Sequence, residues 1–339
     1  MLIEGKSGGR VGIAIIGCGR WGGNLARTFH SLSEARVLVC CNKENRDRLV
    51  QMRTQYPEVS TTQDVSEIWK DGRVDAVVVA TPDKTHFEIA KQGLASGKHV
   101  FVEKPLALSL EETLELVQLA EARGKILMAG HILVYHPAVQ WMRERIAAGV
   151  INPVSVLSTR VEFGIARADA DLLWSSAVHD ISVMQFVFGV EPREIHAIGT
   201  SLATGGPNDM LFINLLFPGG VVGHVHAGFA GPYRERRLVM HASNHIVVVD
   251  GLTGKLEVFS RSRPNTSTGE RDYGKEFDGG VQVELMRSKD ALTVECEHFL
   301  DCIRRRTVPL SGGEGVVGVA RTLDRIAKQI GRPTARTSS

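Results

Sequence analysis

The sequence predicts two domains of different class: an α/β N-terminal domain on a parallel sheet, and an α+β C-terminal domain on an open, mostly antiparallel sheet. Three observations predict them. Through residues 1–130, short apolar runs alternate with helical patterns, as parallel strands wrapped by helices do. Beyond Gly130 the rhythm changes to longer β-type runs joined by Pro-Gly-Gly and Asp-Gly turns. The chain's 339 residues also exceed one ordinary domain and suit two. The domains so drawn are 1–130 and 131–339, the second carrying a C-terminal helix over 314–330.

Taken in order, the apolar runs at 11–16, 35–41, 74–80, 99–102 and 126–129 read as the strands of the first domain. Helices lie between them. One over 23–32 sets Leu25, Phe29 and Leu32 on one face. Another over 110–123 opens on Ser109-Leu110-Glu111-Glu112, which fits a capping box, and stops at Gly124. The second domain begins with a helix over 137–148, ended by Gly149. Runs at 209–217, 221–229, 236–242 and 245–249 then read as consecutive antiparallel strands. The stretch 260–280 is polar and poorly periodic, which suits a surface excursion, and 294–304 and 314–330 return to helix.

Hydrophobic residues make up 43% of the chain and charged residues 23%, with a formal net charge of +2. That balance gives no reason to expect nucleic acid or an anionic membrane as partner and points to a small molecule. No stretch approaches the ~18 uninterrupted apolar residues of a membrane span, and the first residues lack an apolar h-region, so the expected location is the cytoplasm. Cys18, Cys40, Cys41, Cys296 and Cys302 form neither a CxxC pair nor metal-type spacing with histidines. Reduced structural thiols and no metal site are expected.

Gly17-Cys18-Gly19-Arg20-Trp21-Gly22 fits G-x-G-x-x-G after a strand and before a helix, the context of a Rossmann dinucleotide site. The first glycine permits the tight turn, the second lets backbone approach a pyrophosphate, and the third lets helix and strand pack closely. An acidic residue at the end of the second strand would hold the ribose hydroxyls of NAD. Here Val39-Cys40-Cys41-Asn42-Lys43 brings no carboxylate before Glu44. Asn42, Lys43 and Arg46 could instead bind a 2′-phosphate, so NADP(H) is favoured over NAD(H), although Glu44 could still reach the ribose. Gly5-Lys6-Ser7 looks like the tail of a P-loop but precedes the strand, and reads as a flexible terminus.

A second feature joins the glycine turn: Glu103-Lys104-Pro105 at the end of a later strand of the same sheet, where a lysine could reach the reactive end of a dinucleotide. With Ala80-Thr81-Pro82 and His86, with His179-Asp180, and with Glu297-His298-Phe299-Leu300-Asp301-Cys302-Ile303, these motifs resemble the Gfo/Idh/MocA oxidoreductase family over nearly the whole chain. Gly130-His131, Tyr135-His136-Pro137-Ala138 and Asp171-Leu172-Leu173-Trp174 look most similar to its nucleotide-sugar 3-dehydrogenases. The resemblance implies that Thr81, Pro82, His86, Glu103 and Lys104 join the glycine turn at the cofactor, with a cis bond before Pro105 aiming Lys104 inward. It also implies that Lys104 polarises the substrate oxygen and that His179 is the acid/base. Oxidising a secondary alcohol needs such a pair, because a hydroxyl proton must leave while an alkoxide develops.

Members of the family commonly carry Asp four residues before the histidine, whereas this sequence has Ser175; Asp171 or Asp180 could substitute. Ser175, Tyr135 and Arg167 are the remaining candidate substrate contacts, Arg167 as a bidentate grip on a diphosphate or carboxylate. The implied function is hydride transfer between a sugar, most readily a nucleotide sugar, and NAD(P). The open alternatives are another polyol, an inositol, a C=N substrate, or a non-catalytic cofactor-binding protein. Apolar residues on both faces of 209–217 suggest a homo-oligomer, a dimer or tetramer.

Overall fold

The computed structural model of the chain describes residues 9–42, 45–163, 171–202, 208–261, 276–277, 280–283 and 289–331. It divides into two compact units, 1–135 with 289–317, and 136–288 with 318–339.

The first unit is a six-stranded sheet in the order β3-β2-β1-β4-β5-β6, every pair parallel. Its strands are β1 (Val11–Ile16), β2 (Ala35–Cys41), β3 (Ser60–Thr62), β4 (Ala76–Val79), β5 (His99–Glu103) and β6 (Leu127–Gly130). β1 and β4 are buried at every position. That is why they read as unbroken apolar runs: a parallel sheet is covered on both faces. Around it lie α1 (Arg20–Ser31), α2 (Arg46–Gln55), α3 (Val65–Lys70), α4 (His86–Ala95) and α5 (Leu110–Arg123). The N-cap of α5 forms as predicted, Glu112 N–H donating to Ser109 Oγ (3.1 Å), while the Glu112 carboxylate reaches one residue further back and accepts from Leu108 N–H (3.1 Å). Among the strands of this sheet only β3 escaped prediction, being three polar residues at the sheet edge, and α2, α3 and α4 were not delimited.

A helix from far along the chain, α8 (Ala291–Arg305), belongs to this unit; α6 (Pro137–Ala147) and α7 (Val178–Phe188), which precede it in the chain, do not. Phe299 on α8 meets Phe29 of α1 at 6.3 Å and Phe101 of β5 at 5.7 Å, both edge-on. Each of these fully enclosed rings contributes roughly 1.5–3 kcal/mol of burial.

The second unit is an eight-stranded sheet in the order β14-β13-β12-β11-β7-β10-β9-β8. The strands are β7 (Pro153–Phe163), β8 (Glu194–Thr200), β9 (Met210–Leu216), β10 (Val222–Gly228), β11 (Ala230–Ala242), β12 (His245–Asp250), β13 (Lys255–Ser260) and β14 (Val281–Gln282). The antiparallel expectation holds with one correction. β10 and β11 are consecutive in sequence but not neighbours, because β7 lies between them, antiparallel to β11 and parallel to β10. Helices α6 (Pro137–Ala147) and α7 (Val178–Phe188) belong to this unit, as does most of α9 (Gly313–Ile330). Most of the polar stretch 260–280 lies outside the described residues.

Candidate active site

The glycine turn joins β1 to α1 at the carboxyl edge of the parallel sheet. Gly17 has φ +92°, and a Cβ there would come within 2.5 Å of Ala80 O; a Cβ on Gly22 would meet Gly17 O at 1.7 Å. Only glycine permits this closeness of helix and strands. At Gly19, by contrast, a Cβ would meet nothing within 4 Å, so open space lies beside the exposed N-cap of α1. No side chain caps that end and no acidic residue stands in its first turn. The free backbone N–H groups of such an end, with the helix dipole behind them, suit a pyrophosphate. Arg20 and Trp21 are exposed there, and Cys18 is buried with its thiol toward Cys41 O (3.6 Å). The residues therefore fit a dinucleotide.

At the end of β2, Asn42 Oδ1 accepts from Asn45 N–H at 3.2 Å, and Arg46 is exposed at the start of α2. Lys43 lies outside the described residues, as does Arg167.

The loops after β4 and β5 are tied together by His86. Its Nδ1 lies 2.7 Å from Pro105 O and its Nε2 2.9 Å from Thr81 O. Burial holds its pKa below the ordinary value against the pull of those two carbonyls, so the ring is neutral near pH 7 and only one contact carries the hydrogen. His86 thus braces the backbone that carries Thr81, Pro82 and Lys104. The Lys104–Pro105 bond is cis.

Around Lys104 the structure gathers Glu103, which the sequence reading placed at the cofactor, with His131 and Glu295, to which it gave no role. Burial pushes Glu103 up to about 7, against the Lys104 ammonium and an N–H···O bond from Lys104 N to its Oε2 (3.3 Å). His131, following β6, is 3 % exposed, and neither ring nitrogen has a hydrogen-bond partner among the described residues. Burial, with Lys104 adding to it, drives its pKa down to about 4. Glu295 on α8 is wholly enclosed, and burial, then the Glu103 charge, hold its carboxyl well above the usual range. A signal for Glu295 was present: it occupies the apolar stripe of Leu292, Cys296 and Phe299, where a charge is out of place.

Tyr135, expected as a substrate contact, is placed in the core. It is 2 % exposed, its hydroxyl lies 2.9 Å from Ser311 Oγ, and its ring lies 5.3 Å from that of His298. Its hydroxyl is thus satisfied within the protein, as a core tyrosine requires.

In the second unit, a π-turn over Leu173–Ala177 leads into α7, with Val178 N–H reaching back to Leu173 O. Such turns cluster at functional sites. Ser175 lies within it and His179 just beyond, both half-buried. The carboxylates expected to stand in at Ser175 are committed elsewhere. Asp171 Oδ1 caps the turn through Leu173 N–H (2.8 Å) and Trp174 N–H (3.4 Å). Asp180 is gripped bidentately by Arg160 (2.7 and 3.0 Å) and accepts from Ser158 Oγ (2.7 Å). This buried network pins the first turn of α7 to β7.

Comparison with known proteins agrees with this fold and turn. Residues 11–131 match the model of an oxidoreductase family with an NAD-binding Rossmann fold, and residues 139–248 match the Gfo/Idh/MocA C-terminal domain. The chain belongs to the Gfo/Idh/MocA family of oxidoreductases with an NAD-binding Rossmann fold. Over 297 residues it is 28% identical to UDP-N-acetylglucosamine 3-dehydrogenase of Acidithiobacillus ferrooxidans, covering 85% of this chain and 87% of that protein. The solved structure of that enzyme superposes with a TM-score of 0.82 at 25% identity, over 95% of this chain and 97% of the other. Over 264 residues it is also 28% identical to 2,7-anhydro-N-acetylneuraminate hydratase of Escherichia coli, covering 73% of this chain and 67% of that one. Over 314 residues it is 25% identical to an NAD(+)-dependent scyllo-inositol 2-dehydrogenase of Bacillus subtilis, covering 89% and 88%.

Proposed function

We propose that the protein interconverts a secondary hydroxyl and a ketone on a sugar, specifically a nucleotide sugar, with NADP(H) favoured over NAD(H). The observation that carries the reading is the placement of the glycine turn after β1 and of Lys104 after β5 on one carboxyl edge of the parallel sheet. Ligands of open α/β sheets bind at that edge. The nucleotide-sugar part rests on the likeness to the Acidithiobacillus enzyme, which extends over most of both chains. The NADP preference rests on the absence of a carboxylate at Asn42 and the presence of Arg46.

The turn from Gly17 to Gly22 holds the cofactor's phosphates, with Thr81, Pro82, Glu103 and Lys104 toward its nicotinamide end and His86 bracing them. The bound dinucleotide supplies a hydride acceptor or donor. Lys104 holds the substrate oxygen by charge as alkoxide character develops, and His179 takes the hydroxyl proton in oxidation and returns it in reduction. Ser175 contributes a hydrogen bond where relatives bring negative charge.

The test is Lys104→Met in the full chain. Turnover of a UDP-sugar panel should fall by about 10²–10³, the usual loss of one oxyanion-stabilising group, while cofactor still titrates to saturation. Near-normal turnover would sink the mechanism. A second reading, a cofactor-binding protein without catalysis, is favoured by Ser175 together with the commitment of Asp171 and Asp180. It expects saturable cofactor binding and no change in nicotinamide absorbance with any sugar, sugar nucleotide, inositol or imine.

The outer face of the second sheet supports a homo-oligomer. Ile198 (68 % exposed), Phe212 (37 %), Val222 (43 %) and Leu157 (42 %) come together there through the pairings of β8, β9, β10 and β7. Light scattering at micromolar protein should show a dimer or tetramer, and a monomer alone would remove the idea.

A further inference from the structure

The carboxyl ends of β5 and β6 enclose more ionisable groups than the proposed hydride chemistry uses. Glu103 is paired with Gly130 across the two strands, and a Cβ on Gly130 would lie 3.4 Å from the Glu103 carboxyl carbon. The Glu103 side chain therefore turns over the neighbouring strand, and only 8 % of the residue is exposed. Its surroundings come from three elements. Lys104 follows it directly after β5, and His131 follows its cross-strand partner Gly130 at the end of β6, with Tyr135 further on, near Glu295. Glu295 and Cys296 come from α8, which Phe299 anchors against Phe101. Neither oxygen of Glu295 has a partner among the described residues. Lys104 is the cation beside Glu103, and Glu295 feels the Glu103 charge from α8.

A closed, weakly polar site tolerates charge only in balance. Burial, and then the Glu103 charge, raise the proton affinity of Glu295 and favour its neutral acid. His131 is neutral near pH 7, and burial keeps Cys296 and Tyr135 protonated. Glu103, enclosed beside Lys104 and pushed up to about 7, is the described member of this cluster placed to change charge near neutral pH.

We propose that Glu103 is the residue that senses the redox state of the cofactor: it stands as a carboxylate when the nicotinamide beside Lys104 is oxidised and cationic, and takes up a proton when that ring is reduced and neutral. This rests on the assignment of Lys104 to the nicotinamide end made above. One proton balances the change. When the protonated protein binds the oxidised form, Glu103 releases its proton to solvent, and when it binds the reduced form no proton leaves. Glu103 thereby tilts the affinities of the two forms against one another as pH changes.

The experiment measures dissociation constants of the full chain for NAD⁺ against NADH and for NADP⁺ against NADPH from pH 6 to pH 8. The oxidised-to-reduced ratio should fall at least about fivefold over that range, the ceiling being ~10-fold per pH unit for one linked proton. The 2′-phosphate of the NADP pair titrates in both forms and cancels. Glu103→Gln should flatten the ratio, whereas Glu295→Gln, which copies a neutral acid, should leave it sloping. Should Glu103→Gln fail to fold, a weakly buffered indicator assay on the unaltered protein near pH 6.5 decides: protons should appear on adding the oxidised form and not the reduced. A flat ratio with both forms bound, or equal proton release by both, overturns this inference alone. Failure of both forms to bind overturns it together with the cofactor reading.

Discussion

Replacing Glu295 by methionine should stabilise the protein, and by an amount that depends on pH. Glu295 is fully buried, and its pKa lies well above the ordinary 4.5, through burial and then through Glu103. A group whose folded-state pKa is raised favours the folded state fully below its unfolded pKa and loses that contribution as pH rises. Burial and the Glu103 charge both favour its protonated form, so the folded chain holds this proton at pH values where the unfolded chain has released it. Each pH unit over which that difference persists disfavours folding by about 1.4 kcal/mol. At pH 5, close to the ordinary carboxyl value, little of the cost has accrued. Methionine has similar length and carries no proton to hold, so the effect vanishes in Glu295→Met. Urea unfolding followed by far-ultraviolet circular dichroism, at pH 5, 6 and 7, should show the variant's advantage widening as pH rises, by at most about 1.4 kcal/mol per pH unit. Other titrations are common to both proteins and cancel in the difference. An advantage that stays flat, or narrows as pH rises, would refute the claim that Glu295 is a neutral buried acid.

Two further outcomes are expected. Asp180→Asn should lower stability by roughly 3–5 kcal/mol, because Arg160 is left buried without its counter-charge, and Arg160→Leu with Asp180→Leu should recover most of it in thermal unfolding. Tyr135→Phe should lower stability by ~1 kcal/mol through the lost Ser311 contact, with KM for any sugar substrate unchanged; a tenfold rise in KM would restore Tyr135 as a substrate contact.

Local signals carried much of the first unit. β1, β2 and α5 fall on their predicted bounds, because a strand buried on both faces shows as an apolar run and a capped helix announces both its ends. The second sheet was less legible. β10 and β11 adjoin in sequence, yet β7 separates them, and which strand fills a sheet's middle is set by long-range packing that no local pattern records. The same limit governed the site. The glycine turn and Lys104 stand in short motifs and were read directly. Glu295 was passed over, and His131 was quoted only within a motif and given no role, because their meaning arises only when α8 and β6 meet at the end of β5. Asp180 was read as a substitute for the carboxylate missing at Ser175, and its buried partner Arg160 lies 20 residues away in sequence.

The interleaving of the two units has a consequence for synthesis. A ribosome finishes the glycine turn, Lys104 and Tyr135 about 150 residues before α8 emerges, an interval of roughly 8–30 s at ordinary elongation rates. Until then Phe29 and Phe101 lack Phe299, and the first unit cannot close. The nucleotide-binding half, although begun first, therefore waits for α8 until the strands of the second sheet have been made, and the second unit in turn waits for most of α9. A shortened version that stops after Tyr135 should be a chaperone client, and an independently folding version needs 289–317 joined back to 1–135.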